Sequence, residues 1–101
     1  MGERRHRLIW SPEAEDDLFS VWSYGAEEWS PIAADDHLQN ISMACTRLFR
    51  NPELGKSRSE LIDGMRSILV DPHVVFYRIK TTTVEIIRVL HQREDVENIF
   101  S

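Results

Sequence analysis

His73-Val-Val-Phe-Tyr-Arg-Ile-Lys-Thr-Thr-Thr-Val-Glu-Ile-Ile-Arg-Val-Leu-His-Gln-Arg-Glu-Asp95 is the stretch that decides the fold. It divides into two runs rich in β-branched and aromatic residues, 73–79 and 84–90, around a polar turn at Lys80–Thr83. Such runs read as a β-hairpin. In the second run Val84, Ile86 and Leu90 point one way together with Arg88, while Ile87 and Val89 point the other way with Glu85 and His91. In the first, Val75, Tyr77 and Ile79 oppose Val74, Phe76 and Arg78. Neither face is cleanly polar, so periodicity leaves open which face any helices cover. A chain this small is expected to cover one apolar face with its own helices and to leave the other for a partner.

Upstream, Met65–Val70 is predicted as a strand joined to the hairpin by the turn Asp71-Pro72. At the other end, Arg7–Trp10 reads as a short first strand. Ser11-Pro12 and Ser30-Pro31 are repeated helix-start signals, with serine as the cap and proline at the first helical position. Asp and Glu follow each start, where the helix dipole favours them. The first helix carries the stripe Ala14, Leu18, Val21, Trp22, Trp29. The second carries Ala34, Leu38, Ile41, Cys45, Leu48, Phe49 and stops at Asn51-Pro52. So short a connection predicts an antiparallel helix hairpin. The segment 51–64 is irregular, and the tail after Arg93 forms a short helix with Val96 and Phe100 on one face. The expected architecture is α+β: an N-terminal strand and helix hairpin packed on an antiparallel β-sheet meander, with a short C-terminal helical tail.

The 101 residues suffice for one domain, 1–101, with a single core. Hydrophobic content of 42% and charged content of 29% are those of a globular chain. No apolar run approaches membrane-span length. Residues 1–6 include basic side chains, but no apolar segment follows them as in a secretory signal, and no myristoylation pattern is present. The single cysteine, Cys45, cannot form an internal disulfide, which favours the cytoplasm. The net charge of −5 argues against a general nucleic-acid binder. Charge is segregated: eight acidic and no basic side chains lie in 13–36, and nine basic side chains lie in 47–93.

Four segments, taken in order, resemble the ParE branch of the RelE/ParE toxin family of bacterial type II toxin–antitoxin modules. They are 8–18 (LIWSPEAEDDL) with Trp22 and Tyr24; 48–55 (LFRNPELG); 64–67 (GMRS); and 75–78 (VFYR) followed by 84–95 (VEIIRVLHQRED). The resemblance spans nearly the whole chain. It implies a RelE-like fold and a toxin that acts on DNA gyrase. It also implies neutralisation by a ParD-like antitoxin, whose own N-terminal domain binds operator DNA, so that contact with DNA is only indirect. The antitoxin is expected on the free sheet surface through Val75, Tyr77, Ile87 and Val89, with Arg66 and Arg78 supplying positive charge. The target is expected at His91, Gln92 and Arg93.

The alternative is a ribosome-dependent mRNA interferase of the RelE type. Such chemistry needs cations at the scissile phosphate and an acid–base group. His91, Arg66 and Arg78 would be its candidates. RelE-like members carry lysines in or after the second helix; here that helix has none and the following loop has only Lys56. No tyrosine follows His91. His91 also has a plain reading, a strand-end imidazole bonded locally, and Gln92, Arg93 and Asp95 a plain reading as caps of the last helical turn. The tryptophans Trp10, Trp22 and Trp29 read as packing residues. His6, His37, His73 and His91 show no metal-site spacing. No cofactor is implied, and the expectation is a non-enzymatic toxin.

Overall fold

The computed structural model describes residues 7–101. The N-terminal segment 1–6, with its lack of a secretory signal and with His6, lies outside the described residues. The elements are β1 (Arg7–Trp10), α1 (Pro12–Glu28), α2 (Pro31–Arg50), a 3-10 turn (Pro52–Leu54), β2 (Lys56–Ser57), β3 (Met65–Val70), β4 (His73–Lys80), β5 (Thr83–His91) and α3 (Val96–Ile99). The five-stranded sheet has the order β1-β5-β4-β3-β2. β1 runs parallel to β5, with Leu8 opposite Val84 and Trp10 opposite Ile86. The other pairs are antiparallel. The α+β architecture expected from the sequence is therefore the one observed. The parallel pairing of the edge strand and the two-residue β2 have no signal in the sequence pattern.

Both helix starts behave as the Ser-Pro signals predict. Ser11 Oγ accepts from Ala14 N and Ser30 Oγ accepts from Ala33 N. The helices run antiparallel, with the backbone of Gly25 so near Ala34 that an added Cβ would stand 3.1 Å from the Ala34 Cβ. α1 buries Ala14, Asp17, Val21 and Gly25; α2 buries Ala34, His37, Ile41, Ala44, Cys45 and Leu48. These residues close over Val75, Tyr77, Val84, Ile86 and Val89 to make the main core. Burial pushes the Cys45 thiol up to about 12, so it stays protonated as a small apolar group. Trp22 and Trp29, placed on the core stripe by spacing, stand at its margin and are 37% and 45% exposed.

β5 does not alternate strictly. Phe76 pairs with Arg88 but Tyr77 pairs with Ile86, so Ile87 is the extra residue of a β-bulge. The bulge lets Val84, Ile86 and Val89 all reach the helix-covered core, while Ile87 and Leu90 join the opposite face. Strict alternation places Leu90 with Val84 and Ile86; the inserted residue moves it to the other face.

That opposite face is covered by the chain itself. Met65, Phe76 and Leu90 are buried there under Leu61, Ile62, Val96, Ile99 and Phe100. The Phe76 and Phe100 rings meet edge-on at 5.0 Å. The expectation of an apolar face left open for a partner is thus overturned: the 58–64 loop and the C-terminal tail close it.

Past Trp10, β1 ends and β5 has a bare edge. α1 closes it. Ser11 N donates to Ile86 O at 2.9 Å, and Ser11 Oγ donates to Ile87 O at 2.7 Å. Asp17 then accepts from Val89 N at 2.8 Å and from Arg88 Nε and Nη2 at 2.8 and 2.9 Å. A two-pronged guanidinium–carboxylate pair plus a main-chain donor is a strong set when little water reaches it; Asp17 is only 8% exposed. Asp17→Ala leaves a buried amide and a half-buried cation without partners and is expected to cost roughly 2–4 kcal/mol in urea unfolding. A cost within 0.5 kcal/mol of zero, about that of an ordinary surface substitution, would show that α1 is held by its apolar contacts alone.

Candidate functional site

The end of β5 turns back on itself through its own polar groups. His91 N donates to Glu94 Oε1 at 2.9 Å, Glu94 N to His91 O at 2.9 Å, and Arg93 N to His91 Nδ1 at 3.1 Å. Gln92 N donates to Pro72 O at 2.9 Å and Gln92 Nε2 to Asp71 Oδ1 at 3.1 Å, tying this turn to the β3–β4 turn. Asp95 caps α3 by accepting from Asn98 N at 3.4 Å. The plain reading therefore holds for His91, bonded locally, and for Asp95 as the cap, whereas Gln92 and Arg93 do not cap α3 but bond Pro72, Asp71 and His91. The Arg93 side chain is exposed and makes no ion pair with any described residue.

Behind the turn lies an aromatic stack that spacing along the chain does not reveal. His73 and His91 are cross-strand partners on β4 and β5. Their rings meet at 5.4 Å, and Tyr24 of α1 stands edge-on to both, at 5.7 and 4.9 Å. Trp29 packs on Tyr24 and on His37. His37 Nε2 and His73 Nδ1 share a hydrogen bond of 2.8 Å. One of these nitrogens must carry the proton and the other must lack it, so the pair does not hold two charges facing each other. Burial, reinforced by His37 and His91, brings His73 down to about 4, and burial also lowers His37 against the pull of Asp71. Among the described residues no group of His, Cys, Asp or Glu is arranged to hold a metal ion. A groove opens in front of the stack between α1 and the end of β5, lined by Asp17, Ser20, Tyr24, Arg88, His91 and Arg93 among others.

The other sequence-derived candidates are scattered. Val75 and Tyr77 are fully buried and Val89 is 2% exposed, all under the helix hairpin, so none is available to an antitoxin. Ile87 packs beneath the C-terminal tail. Tyr77 has a structural task instead: its hydroxyl donates to Pro52 O at 2.6 Å and accepts from Gly55 N at 2.8 Å. Arg66 Nη1 donates to Gly55 O at 2.6 Å, and Arg78 pairs with Glu85 at 3.0 Å. Arg66 and Arg78 do remain partly accessible. The interferase set does not converge. Arg78 lies opposite Glu85, whereas His91 lies opposite His73, five positions earlier on β4, or about 16 Å along the strand.

Comparison with known proteins decides the family. Residues 8–96 match the family model described as the ParE toxin of the type II toxin-antitoxin system parDE. The chain belongs to the ParE toxin family. The sequence is 33% identical over 92 residues to Toxin ParE1 of Mycobacterium tuberculosis, covering 90% of this chain and 94% of that one. It is 35% identical over 82 residues to Toxin ParE1 of Caulobacter vibrioides, covering 81% and 84%. In fold it is similar to a chain of the chromosomal ParDE TA system from P. aeruginosa, with a TM-score of 0.76, 21% identity, and 88% and 98% coverage. A YafQ mutant from E. coli has the same kind of fold at a TM-score of 0.56 and 14% identity, over 86% of this chain and 93% of that one. No helix among the described residues is long and apolar enough to cross a membrane.

Within this ParE fold the histidine stack makes stability depend on pH. His73 and His37 have folded-state affinities for protons below that of an unfolded histidine, near 6.5. Between about 6.5 and about 4 the unfolded chain binds more protons at these sites, so their contribution, complete above 6.5, is lost as pH falls. Urea unfolding at pH 7.5, 6.0 and 5.0 is expected to show declining stability. His73→Phe is expected to flatten that decline, and an unchanged slope in the variant would assign the acid sensitivity elsewhere.

Proposed function

We propose that this protein is a non-enzymatic toxin that inhibits DNA gyrase and is neutralised by direct binding of a ParD-like antitoxin. The observation that carries the reading is the family match across residues 8–96. The local geometry agrees with it. The three side chains that a RelE-type ribonuclease would use are spread along the sheet, and His91 spends Nδ1 on its own turn. The exposed side chains of Gln92 and Arg93, beside His91, offer a polar contact surface for the target.

For the antitoxin, Arg66 and Arg78 remain as accessible cations at the sheet. The apolar surface comes from the outer side of the hairpin rather than from Val75, Tyr77, Ile87 or Val89. Leu18, Phe19, Trp22 and Leu38 line a shallow patch there, and Phe19 is 77% exposed. An amphipathic helix laid on such a patch buries its apolar face.

Purified antitoxin-free protein is expected to inhibit gyrase supercoiling at near-stoichiometric amounts. Arg93→Glu is expected to weaken inhibition by about tenfold while leaving the circular dichroism spectrum unchanged. A folded protein that leaves supercoiling untouched excludes this target. Phased mRNA cleavage in a translating extract, lost in His91→Ala, would establish the interferase instead.

A further inference from the structure

A hollow of about 590 Å³ lies where α2 ends against β2 and β3. It is lined by Arg47, Leu54, Lys56, Arg58, Leu69 and Gln92 among others, and none of its lining residues is acidic. Arg47 reaches it from the last turn of α2, where the helix dipole favours a cation. Lys56 lies opposite Ser67, and Arg58 N donates to Met65 O at 2.7 Å, so Lys56 and Arg58 follow one ladder. Two apart along it, their side chains leave the same face about 7 Å from each other. Arg47 and Lys56 are exposed and make no ion pair with a described residue. Arg58 is held in place by Glu60, which accepts from its Nε at 2.8 Å, and by the Phe76 ring, 5.3 Å from its guanidinium carbon.

One main-chain donor joins these cations. The bond from Arg58 N turns the main-chain groups of Met65 toward β2, and alternation turns those of Ser67 and Leu69 the same way. No described strand stands opposite Leu69 on that side, so its amide has no ladder partner there. The acids of 13–36 are kept at a distance. The last of them, Asp36, precedes Arg47 by about three turns of α2, or about 16 Å. A chain with a net charge of −5 therefore carries a local concentration of positive charge that its own acids leave largely unanswered.

We propose that this hollow holds the sugar–phosphate backbone of a single DNA strand. Guanidinium, ammonium and main-chain N–H groups are the usual donors to phosphate oxygens, and they fix a strand without reading its sequence. The hollow brings all three together in Arg47 and Arg58, Lys56 and the Leu69 amide. Leu54 and Leu69, 49% and 60% exposed, lie against sugar and base faces and make no hydrogen bond that tells one base from another. Three cations engage about three phosphates, so the contact is weak, local and salt-sensitive. The acidic remainder of the molecule keeps it from spreading along a longer polyanion. The choice of DNA over RNA rests on the gyrase reading above: a toxin that acts on an enzyme holding DNA meets a strand beside its target.

Fluorescence anisotropy of the antitoxin-free protein with a short labelled single-stranded DNA tests this. Affinity is expected to fall roughly 15- to 20-fold between about 50 and about 200 mM salt, the loss for about three phosphates on a single strand. Arg47→Glu/Lys56→Glu removes two exposed cations, should keep its circular dichroism spectrum, and should bind about tenfold or more weakly with most of the salt dependence gone. Lys80→Glu is the control for net charge. It lies on β4 about 20 Å from Val74 at the hollow, beyond the screening length, and should change affinity by about twofold at most. An equal loss in that control overturns the inference, as does an absence of binding at low salt or full affinity in the double variant. A clear preference for RNA of the same sequence, or for poly-glutamate of matched charge, also overturns it and assigns the hollow to that polymer. Binding is read without gyrase, so its failure leaves the gyrase reading standing. DNA binding by a protein that does not inhibit supercoiling removes the gyrase reading and leaves the site.

Discussion

Asp17 is the joint on which the arrangement depends. The sheet is built around β5, and β5 is flanked on one side by β4 and on the other by two different things in succession. Up to Ile86 it is β1. Beyond Ile86 it is the N-terminal half of α1, through Ser11 and then Asp17. A helix cannot continue a strand ladder with its own main chain, because its amides are already used internally. A carboxylate can stand in, since it accepts from several donors at once. Asp17 takes the Val89 amide and the Arg88 guanidinium together, and so fixes the axial position of α1 on the sheet. The helix hairpin, the groove before His91 and the Tyr24–His73 contact all follow from that position.

The bulge at Ile87 serves the same end. Without it, β5 would present either a continuous helix-side row or a continuous tail-side row past Arg88. With it, Val89 stays under the hairpin while Ile87 and Leu90 close the second core. One inserted residue thus lets a single strand line two cores, and the short tail from Val96 to Phe100 is sufficient cover for the smaller of them.

Much of this was legible in the residues. The Ser-Pro starts, the β3–β4–β5 meander and the family segments follow local rules that tertiary context did not override. The errors have physical causes. Strict alternation misplaced Leu90 because a bulge leaves no reliable mark in one sequence. The two apolar sheet faces point to a partner, but a loop and a four-residue helix are enough to cover the second face. Asp17 is one of the acids that follow the first helix start, where the dipole accounts for them, yet 14, 17, 21 and 25 share one helical phase that faces the core. His37 lies equally in phase with Ala34 and Ile41, but nothing in the chain shows that it meets His73. That meeting is a product of the docking that Asp17 sets.

The parallel pairing of β1 with β5 also governs the order of events during synthesis. Arg7–Trp10 is synthesised long before the residues opposite it, 83–86. Until then the apolar side of β1 has no ladder to join, and Asp17 has neither Val89 nor Arg88 to bind. Contacts so distant along the chain form late and cooperatively. The sheet and its joint to α1 therefore stay incomplete until Val89 has been translated.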